Sequence, residues 1–238
     1  GHYVFSMSRD NSLRDNQITS MYVANDGNLW LTTFSGISLI ETKSNISFFG
    51  SYYGLNGVIL SVIRFESDLY VATTNGVYLY NCQSVYDKTR NTFDYKAKFK
   101  KIEEIRAMCW KLVEIQGNLY AVTNDGIYQI NKSGAKLKLA GNFQIISQMS
   151  FFPDNVLIGS KDGLLIASIK NSNIDTLGYV QNFSYSTRTI CEDYFGNFWL
   201  GTSEDGLFQL SFFSGLNLKP EIISFVNKTG LPEEYDWI

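Results

Sequence analysis

Short runs of alternating apolar and polar residues recur along the whole chain, with turn signals between them. Residues 26–40, DGNLWLTTFSGISLI, open on a turn and continue as an apolar strand. They then meet a second turn with a glycine and end in an alternating strand. Alternation with a period of two is typical of half-buried β-strands, because successive side chains point to opposite faces. The stretch therefore predicts a two-stranded hairpin.

This hairpin pattern occurs five times along the chain. The five copies are GNLWLTTFSGISLI (27–40), SDLYVATTNGVYLY (67–80), GNLYAVTNDGIYQI (117–130), DNVLIGSKDGLLIA (154–167) and GNFWLGTSEDGLFQL (196–210). Their turn glycines are Gly36, Gly76, Gly126, Gly163 and Gly206, which lie 37 to 50 residues apart. One apolar stretch before each copy and one after it complete four short strands per repeat.

Four antiparallel strands in a period of about 40–45 residues are typical of a β-propeller blade. A lone four-stranded sheet leaves both faces exposed, whereas radial stacking against neighbouring blades buries them. We expect an all-β fold, a single β-propeller region over residues 1–238 with about five complete blades of four antiparallel strands. The repeats span residues 18–53, 58–99, 105–140, 145–183 and 187–228. Partial blades are expected at 2–8 and 233–238, which do not combine into a whole blade, so we expect a fragment of a larger propeller.

In four of the five repeats, a large aromatic side chain stands in the middle of the second strand. We expect Trp30, Tyr70, Tyr120 and Trp199 to lie at equivalent positions, buried between blades. The glycine after each Thr/Ser turn is expected to supply the positive φ of a tight connection between the second and third strands.

Composition and charge exclude several classes of function. The 20 basic and 23 acidic residues give a net charge of −3 without a run of five like charges, so the basic face of a nucleic-acid-binding protein is missing. No apolar run approaches the roughly 20 residues of a membrane helix. The three cysteines, Cys82, Cys109 and Cys191, show no CxxC spacing and are expected to be partly buried thiols.

The sequence offers little for catalysis. The single histidine is His2, which removes Ser-His-Asp and Cys-His nucleophilic sites and any histidine-based zinc site. No phosphate-binding glycine motif occurs. Adjacent carboxylates such as Glu192 and Asp193 do not by themselves give the separation of a glycosidase pair. We expect no catalytic residue, no metal and no cofactor.

A binding site is the better-supported expectation. In a propeller, the turns between second and third strands open on the same face as the linkers between blades. Two groups of residues are candidates on that face, and they are Asp125, Asp162, Glu204 and Asp205 in the turns, and Arg64, Arg106, Trp110 and Arg188 near the axis or linkers. An aromatic ring beside guanidinium groups would suit an acidic or neutral oligosaccharide. The alternative is that the acidic residues simply form turns, which Asp favours, and that the others are ordinary edge and loop residues.

The repeats resemble a known family. The consensus I-x-x-I-x-E-D-x-x-G-N-L-W-L-G-T-x-x-G-L is similar to the two-component regulator propeller repeat. The fifth repeat matches it best, through Ile190, Glu192, Asp193, Gly196, Asn197, Trp199, Leu200, Gly201, Thr202, Asp205, Gly206 and Leu207. The first repeat keeps Gly27, Asn28, Leu29, Trp30 and Thr33 but has Val23 and Ala24 in place of Glu-Asp, and the middle three lack the Trp.

The resemblance implies a sensor function. Such repeats form the extracytoplasmic region of hybrid histidine kinases and related regulators, commonest in gut Bacteroidetes, which detect products of glycan breakdown. It implies a periplasmic part of a bacterial inner-membrane protein that binds an oligosaccharide or other small molecule. The implied partners are the remaining blades, a downstream transmembrane and kinase region and a possible second copy of the chain, but no nucleic acid. The alternatives are an interaction or dimerisation platform without its own ligand and, third, a propeller lyase or hydrolase.

Overall fold

The structure, a computed structural model, describes residues 13, 15–42, 49–87, 92–212 and 215–225. Within these residues the chain forms 19 β-strands and one short 3-10 helix, Ser51–Tyr53. The partial blades predicted at 2–8 and 233–238 lie outside the described residues. The fourth strand expected near the end of the first repeat also lies partly outside the described residues, and residues 51–53 form the 3-10 helix.

The strands form five antiparallel sheets, each taken from one repeat and ordered as in the chain. The first sheet contains β1 (Ile18–Val23), β2 (Leu29–Thr33) and β3 (Gly36–Ile40). The second contains β4 (Ile59–Phe65), β5 (Asp68–Thr73), β6 (Gly76–Asp87) and β7 (Thr92–Lys101). The third contains β8 (Cys109–Ile115), β9 (Asn118–Thr123), β10 (Gly126–Asn131) and β11 (Gly134–Ala140).

The last two sheets complete the series. The fourth contains β12 (Phe143–Met149), β13 (Phe152–Ser160), β14 (Gly163–Lys170) and β15 (Asn173–Tyr179). The fifth contains β16 (Thr187–Glu192), β17 (Phe198–Thr202), β18 (Leu207–Ser211) and β19 (Glu221–Ser224). These sheets are the blades of a β-propeller, which confirms the predicted fold class.

By packing, the chain divides into two compact units. One comprises Gly1–Asn56 with Asn81–Lys100, and the other comprises Gly57–Tyr80 with Lys101–Ile238. In the first unit, the Phe49 ring makes edge contacts with the rings of Tyr53 and Phe99, at centroid distances of 5.3 and 5.6 Å. In the second unit, the innermost strands contact each other in sequence, β4 with β8, β8 with β12 and β12 with β16. That order is the radial arrangement of propeller blades.

The core of the second unit lies between successive blades. Alternate residues of β9 pack against the two neighbouring blades. Leu119 belongs to the cluster shared with the preceding blade, and Tyr120 belongs to the cluster shared with the next. In β13, Ile158 likewise faces backwards and Leu157 faces forwards. Burial on both faces explains why the second strands of the blades in this unit are nearly continuously apolar rather than alternating.

The four aromatic positions have different environments. Tyr70 and Tyr120 are 5% and 0% exposed, which confirms their predicted burial, and Trp199 is half-buried. The prediction is wrong for Trp30, which is 44% exposed. The Trp199 indole donates to Asp193 Oδ2 at 3.0 Å and packs 5.1 Å from the Phe225 ring.

The sequence difference behind this contrast lies in the turn before the second strand. Ala24 forms the same backbone turn as Asp193, because each donates its N–H to the carbonyl of the Asn four residues later. Ala24 has no side-chain acceptor, however, so the Trp30 indole lacks the hydrogen bond that fixes Trp199.

A threonine or serine hydroxyl closes the turn between the second and third strands of every blade. The hydroxyl donates to a glycine carbonyl, and the pairs are Thr33 with Gly36, Thr73 with Gly76, Thr123 with Gly126, Ser160 with Gly163 and Thr202 with Gly206. It also accepts a backbone N–H from within the turn. The predicted positive φ is confirmed at Gly36, Gly76, Gly163 and Gly206. Gly126 is the exception, and there a Cβ would lie 2.6 Å from the Leu139 carbonyl oxygen, so close packing accounts for the glycine.

Candidate ligand site at the start of the innermost strands

The innermost strand of every blade has the same irregularity. The register with the second strand shifts at its second residue, so that one residue has no partner across the ladder. The residues at this position are Thr19, Leu60, Trp110, Gln144 and Arg188. A β-bulge bends the strand and redirects the side chain of the extra residue. Each blade therefore presents one side chain at an equivalent point beside the turn that joins its second and third strands.

Two of these side chains are held by the turn of their own blade. Trp110 Nε1 donates to Asn124 Oδ1 at 2.6 Å, and Arg188 Nε donates to Ser203 Oγ at 2.9 Å. Asn124 and Ser203 occupy the same position, since each directly follows the threonine that closes its turn. Ser203 Oγ also lies 3.0 Å from Ser186 Oγ. The indole and the guanidinium are thus oriented by equivalent contacts in two blades.

Trp110 and Arg188 also contact each other. Arg188 Cζ lies 4.8 Å from the centroid of the Trp110 ring, a cation–π distance. The two residues belong to β8 and β16, and β12 packs against both strands. Their contact therefore spans the start of the innermost strand of the fourth blade, where Gln144 lies.

Gln144 is the buried member of the series. Its side chain is 4% exposed, and among the described residues no donor reaches its Oε1 atom, which is itself shielded from solvent. A buried acceptor without a partner costs about 1–3 kcal/mol, so such groups are rare in folded proteins. Gln144 is therefore a polar group that the fold buries at a cost, at the same bulge position as Trp110 and Arg188.

The structure separates the other predicted basic residues from this cluster. Arg64 lies near the opposite end of β4, where its Nη1 atom is 3.5 Å from the Ser67 carbonyl. Arg106 precedes β8, and its Nε donates to the Glu103 carbonyl at 3.2 Å. Both are exposed. Of the four predicted basic and aromatic candidates, only Trp110 and Arg188 are brought into contact.

The predicted acidic residues lie in the turns between second and third strands, exposed to solvent. The backbone N–H groups of Asp125, Asp162 and Asp205 donate to the turn hydroxyls, while Glu204 lies beside Asp205 in the fifth blade. The Asp125 carboxylate also accepts a bond from the Tyr128 hydroxyl at 3.1 Å, and its Oδ1 lies 2.5 Å from Thr123 Oγ1, whose single proton it shares with the Gly126 carbonyl. Turn formation explains these positions, and a role in binding stays a prediction.

The adjacent carboxylates of Glu192 and Asp193 have separate partners. Glu192 Oε2 accepts the Ser150 N–H at 2.9 Å and the Ser150 hydroxyl at 2.7 Å. Asp193 accepts bonds from Asn197, Trp199 and the backbone of its own turn. These bonds lower the pKa of Asp193 from 3.8 to about 2, and the bond from the Asn197 side chain has the largest effect. Each carboxylate therefore stabilises a turn.

Other features of the described residues do not form a second centre of this kind. No three His, Cys, Asp or Glu side chains of the described part converge as metal ligands would. A cavity of about 500 Å³ lies at the opposite ends of blades two and three, lined by Glu66, Asn118 and Lys132 among others, away from the bulge residues. Among the residues that the structure describes, no helix has the length and hydropathy needed to cross a bilayer.

Sequence reasoning missed Gln144, Asn124 and Ser203 as members of the site. The signal that could have found them is the alignment of the five repeats on the second residue of each innermost strand, and on the residue after each turn threonine. The turn glycines, on which the repeats were aligned, direct attention to the acidic turn residues instead.

Comparison with known proteins supports the resemblance noted in the sequence. The family described as two component regulator propeller matches residues 12–35. No curated protein sequence matches the chain. Solved structures do match by fold, and the chain spans about a third of the length of the first ones.

Three structures show the range of these fold matches. The extracellular domain of BT4673 from B. thetaiotaomicron, assigned to a one component system, is 15% identical over 94% of this chain and 33% of its own, with a TM-score of 0.58. The extracellular domain of BT3049 from the same organism, assigned to a hybrid two component system, is 16% identical over 91% and 31%, with a TM-score of 0.47. An inactive virginiamycin B lyase variant from Staphylococcus aureus, with Quinupristin, is 12% identical over 87% and 70%, with a TM-score of 0.45.

Proposed function

We propose that this chain is the ligand-sensing propeller module of a membrane-spanning two-component sensor or regulator, located outside the cytoplasm. It is non-catalytic and recognises an oligosaccharide or a similar solute. The remaining blades and a downstream membrane and kinase region of the same protein would transmit the signal. The family match over residues 12–35 supports the signalling context.

One observation carries the ligand-binding part of the proposal. Three successive blades present Trp110, Gln144 and Arg188 at the same bulge position, and two of these side chains are held in place by their own turns. The third keeps a buried oxygen without a donor. An exposed guanidinium held against an aromatic ring matches the polar groups and the apolar face of a sugar.

A panel of neutral and acidic oligosaccharides, screened by thermal shift and then by calorimetry, tests the proposal. A ligand present at 100 times its Kd stabilises the folded state by about 2.7 kcal/mol. We expect this stabilisation in the wild-type chain and in a Trp199→Phe control, whose substitution lies outside the cluster. We expect it to be lost in Trp110→Leu. If no member of the panel stabilises the wild-type chain, the proposal is wrong.

A second candidate is an interaction platform without its own ligand, and the first unit favours it. β1 exposes a series of apolar side chains, of which Met21, Tyr22 and Val23 are each more than 60% exposed. Exposed apolar patches of this kind are typical of interfaces. Light scattering distinguishes the two functions, because a dimer that Tyr22→Arg dissociates, in a chain that binds no sugar, would favour the platform.

A further inference from the structure

The cavity between blades two and three, at the ends away from the bulge residues, has the size of a small-ligand site. Its volume of about 500 Å³ falls within the range that such sites usually have. Apolar side chains that are buried or half-buried line one part of it, and they are Phe65, Tyr70, Leu119 and Ile130. Polar and charged side chains line the rest. The cavity therefore suits a ligand that has one apolar and one polar part.

The cavity exists because the strands of blade three are short at this end. β9 and β10 have six residues each, whereas the equivalent strands of blade four, β13 and β14, have nine and eight. The turn after the longer β14 brings Ser172 Oγ to Asn118 Oδ1, to which it donates at 3.2 Å, and Tyr120 at that interface is 0% exposed. The shorter turn after β10 leaves the corresponding space beside Tyr70 open.

Two opposite charges from different blades meet at this cavity. Glu66 belongs to blade two and Lys132 to blade three, and Lys132 Nζ lies 3.2 Å from Glu66 Oε2. Both side chains are exposed, and an exposed ion pair contributes little to stability, so each charge can exchange the other for a ligand group. The two charges cancel. A ligand that pairs with both must therefore carry one positive and one negative group.

Two amide side chains that line the same cavity each have one polar group left for a ligand. Gln129 Nε2 donates to Asn118 Oδ1 at 2.8 Å, and among the described residues no donor reaches Gln129 Oε1. Gln129 is half-buried, and this oxygen is not shielded from solvent. Asn131 Oδ1 accepts the N–H and the hydroxyl of Ser133, at 2.9 and 2.6 Å, so the Asn131 amide keeps its N–H groups as donors. One amide thus offers an acceptor, and the other offers donors.

We propose that this cavity binds a free α-amino acid with an apolar side chain. Glu66 and Gln129 Oε1 accept hydrogen bonds from its ammonium group. Lys132 and the Asn131 amide donate to its carboxylate, and its side chain packs on the apolar lining. Both ligand charges are attached to one carbon atom, which matches the short distance between Glu66 and Lys132. A neutral sugar would use the amides but would not need the opposite charges. The site lies apart from the bulge residues and goes beyond the proposed function.

Calorimetric titration of the full chain with L-leucine and L-phenylalanine tests this assignment. We expect binding of both, and we expect their amides and N-acetyl derivatives, which each lack one charge, to bind about 10- to 100-fold more weakly, because a hydrogen bond between charged groups is lost. Lys132→Gln and Glu66→Gln should weaken binding of the free amino acid to the same extent. Both variants should unfold at the wild-type temperature, because the pair is exposed. Lys136→Gln, which removes an exposed positive charge of the same blade outside the cavity, should bind as the wild type does.

The contrary outcomes are distinct from failure of the proposed function, which the sugar panel and Trp110→Leu test separately. If neither amino acid binds, or if the amides and N-acetyl derivatives bind as well as the free amino acids, the ligand assignment is wrong. Amino-acid binding that survives both Lys132→Gln and Glu66→Gln would overturn the site. A neutral sugar whose binding Lys132→Gln removes would show that the cavity takes a sugar instead.

Discussion

Thr123→Val tests whether the turn hydroxyls hold the blades together. Thr123 is 0% exposed, and its Oγ1 donates to the Gly126 carbonyl at 2.7 Å and accepts the Gly126 N–H at 3.0 Å. Valine has nearly the same shape, so the substitution removes these bonds without leaving a cavity. The turn also carries Asn124, which fixes the indole of Trp110.

The expected cost follows from the groups left behind. Each buried polar group that loses its partner costs about 1–3 kcal/mol, and Gly126 is buried. Because Gly126 loses the bonds to both its carbonyl and its N–H, we expect Thr123→Val to lower the free energy of unfolding by about 2–3 kcal/mol. That corresponds to roughly 4–12 °C in the thermal midpoint of a chain of this size.

Urea and thermal denaturation of the purified chain measure this effect. Thr176→Val, an exposed substitution on β15, is the matched control and should change stability by less than about 0.5 kcal/mol. Thr73→Val and Thr202→Val should resemble Thr123→Val, because they remove the same bond in other blades. If Thr123→Val were no more destabilising than Thr176→Val, the hydroxyl would not be what closes the turn.

Three further predictions concern single side chains. Because the pKa of Asp193 is depressed, the carboxylate contributes its full stabilisation above pH 3.8. This stabilisation is lost as the pH falls through about 2. Asp193→Asn should therefore flatten the acid side of the pH–stability curve, and an unchanged acid limb would contradict the bonds assigned to this carboxylate. Burial raises the pKa of the Cys109 thiol to about 12, so iodoacetamide at neutral pH should modify exposed Cys191 and spare Cys109 in the folded chain. Equal labelling of the two thiols, read by mass spectrometry, would refute this. Trp199→Phe should cost about 1–2 kcal/mol because it removes the indole hydrogen bond, and Trp30→Phe less than about 0.5 kcal/mol. Equal costs in urea denaturation would show that the acceptor does not distinguish the two.

The sequence predicts the blades well because their determinants are local. A period of two, a hydroxyl and a glycine recur within each hairpin, and the structure forms those hairpins between residues 27 and 210. The exposure of Trp30 was harder to predict, although the sequence shows that Ala24 of the first repeat stands where the fifth repeat has Asp193. An indole is fixed by packing against a neighbouring blade and by a hydrogen-bond acceptor. The nearby sequence shows only whether the acceptor is present.

The candidate site depends on pairing between strands, which local patterns do not encode. A register shift at Gln144 is invisible in the stretch FQIISQM, because the bulge is defined only against the facing strand. The acidic turn residues, by contrast, are conspicuous in sequence, yet three of them have backbone bonds that account for their place. Trp110 and Arg188 were identified by residue type, and only the fold shows that they meet.

The recurring bulge gives each blade one variable position that is independent of its architecture. A side chain that has no partner in the ladder can be exchanged without changing the pairing of the two strands. The five described blades carry threonine, leucine, tryptophan, glutamine and arginine at this position, so the fold tolerates polar, apolar, aromatic and charged side chains there. Proteins built from the same repeat could therefore change this residue blade by blade while the pairing of the strands stays the same.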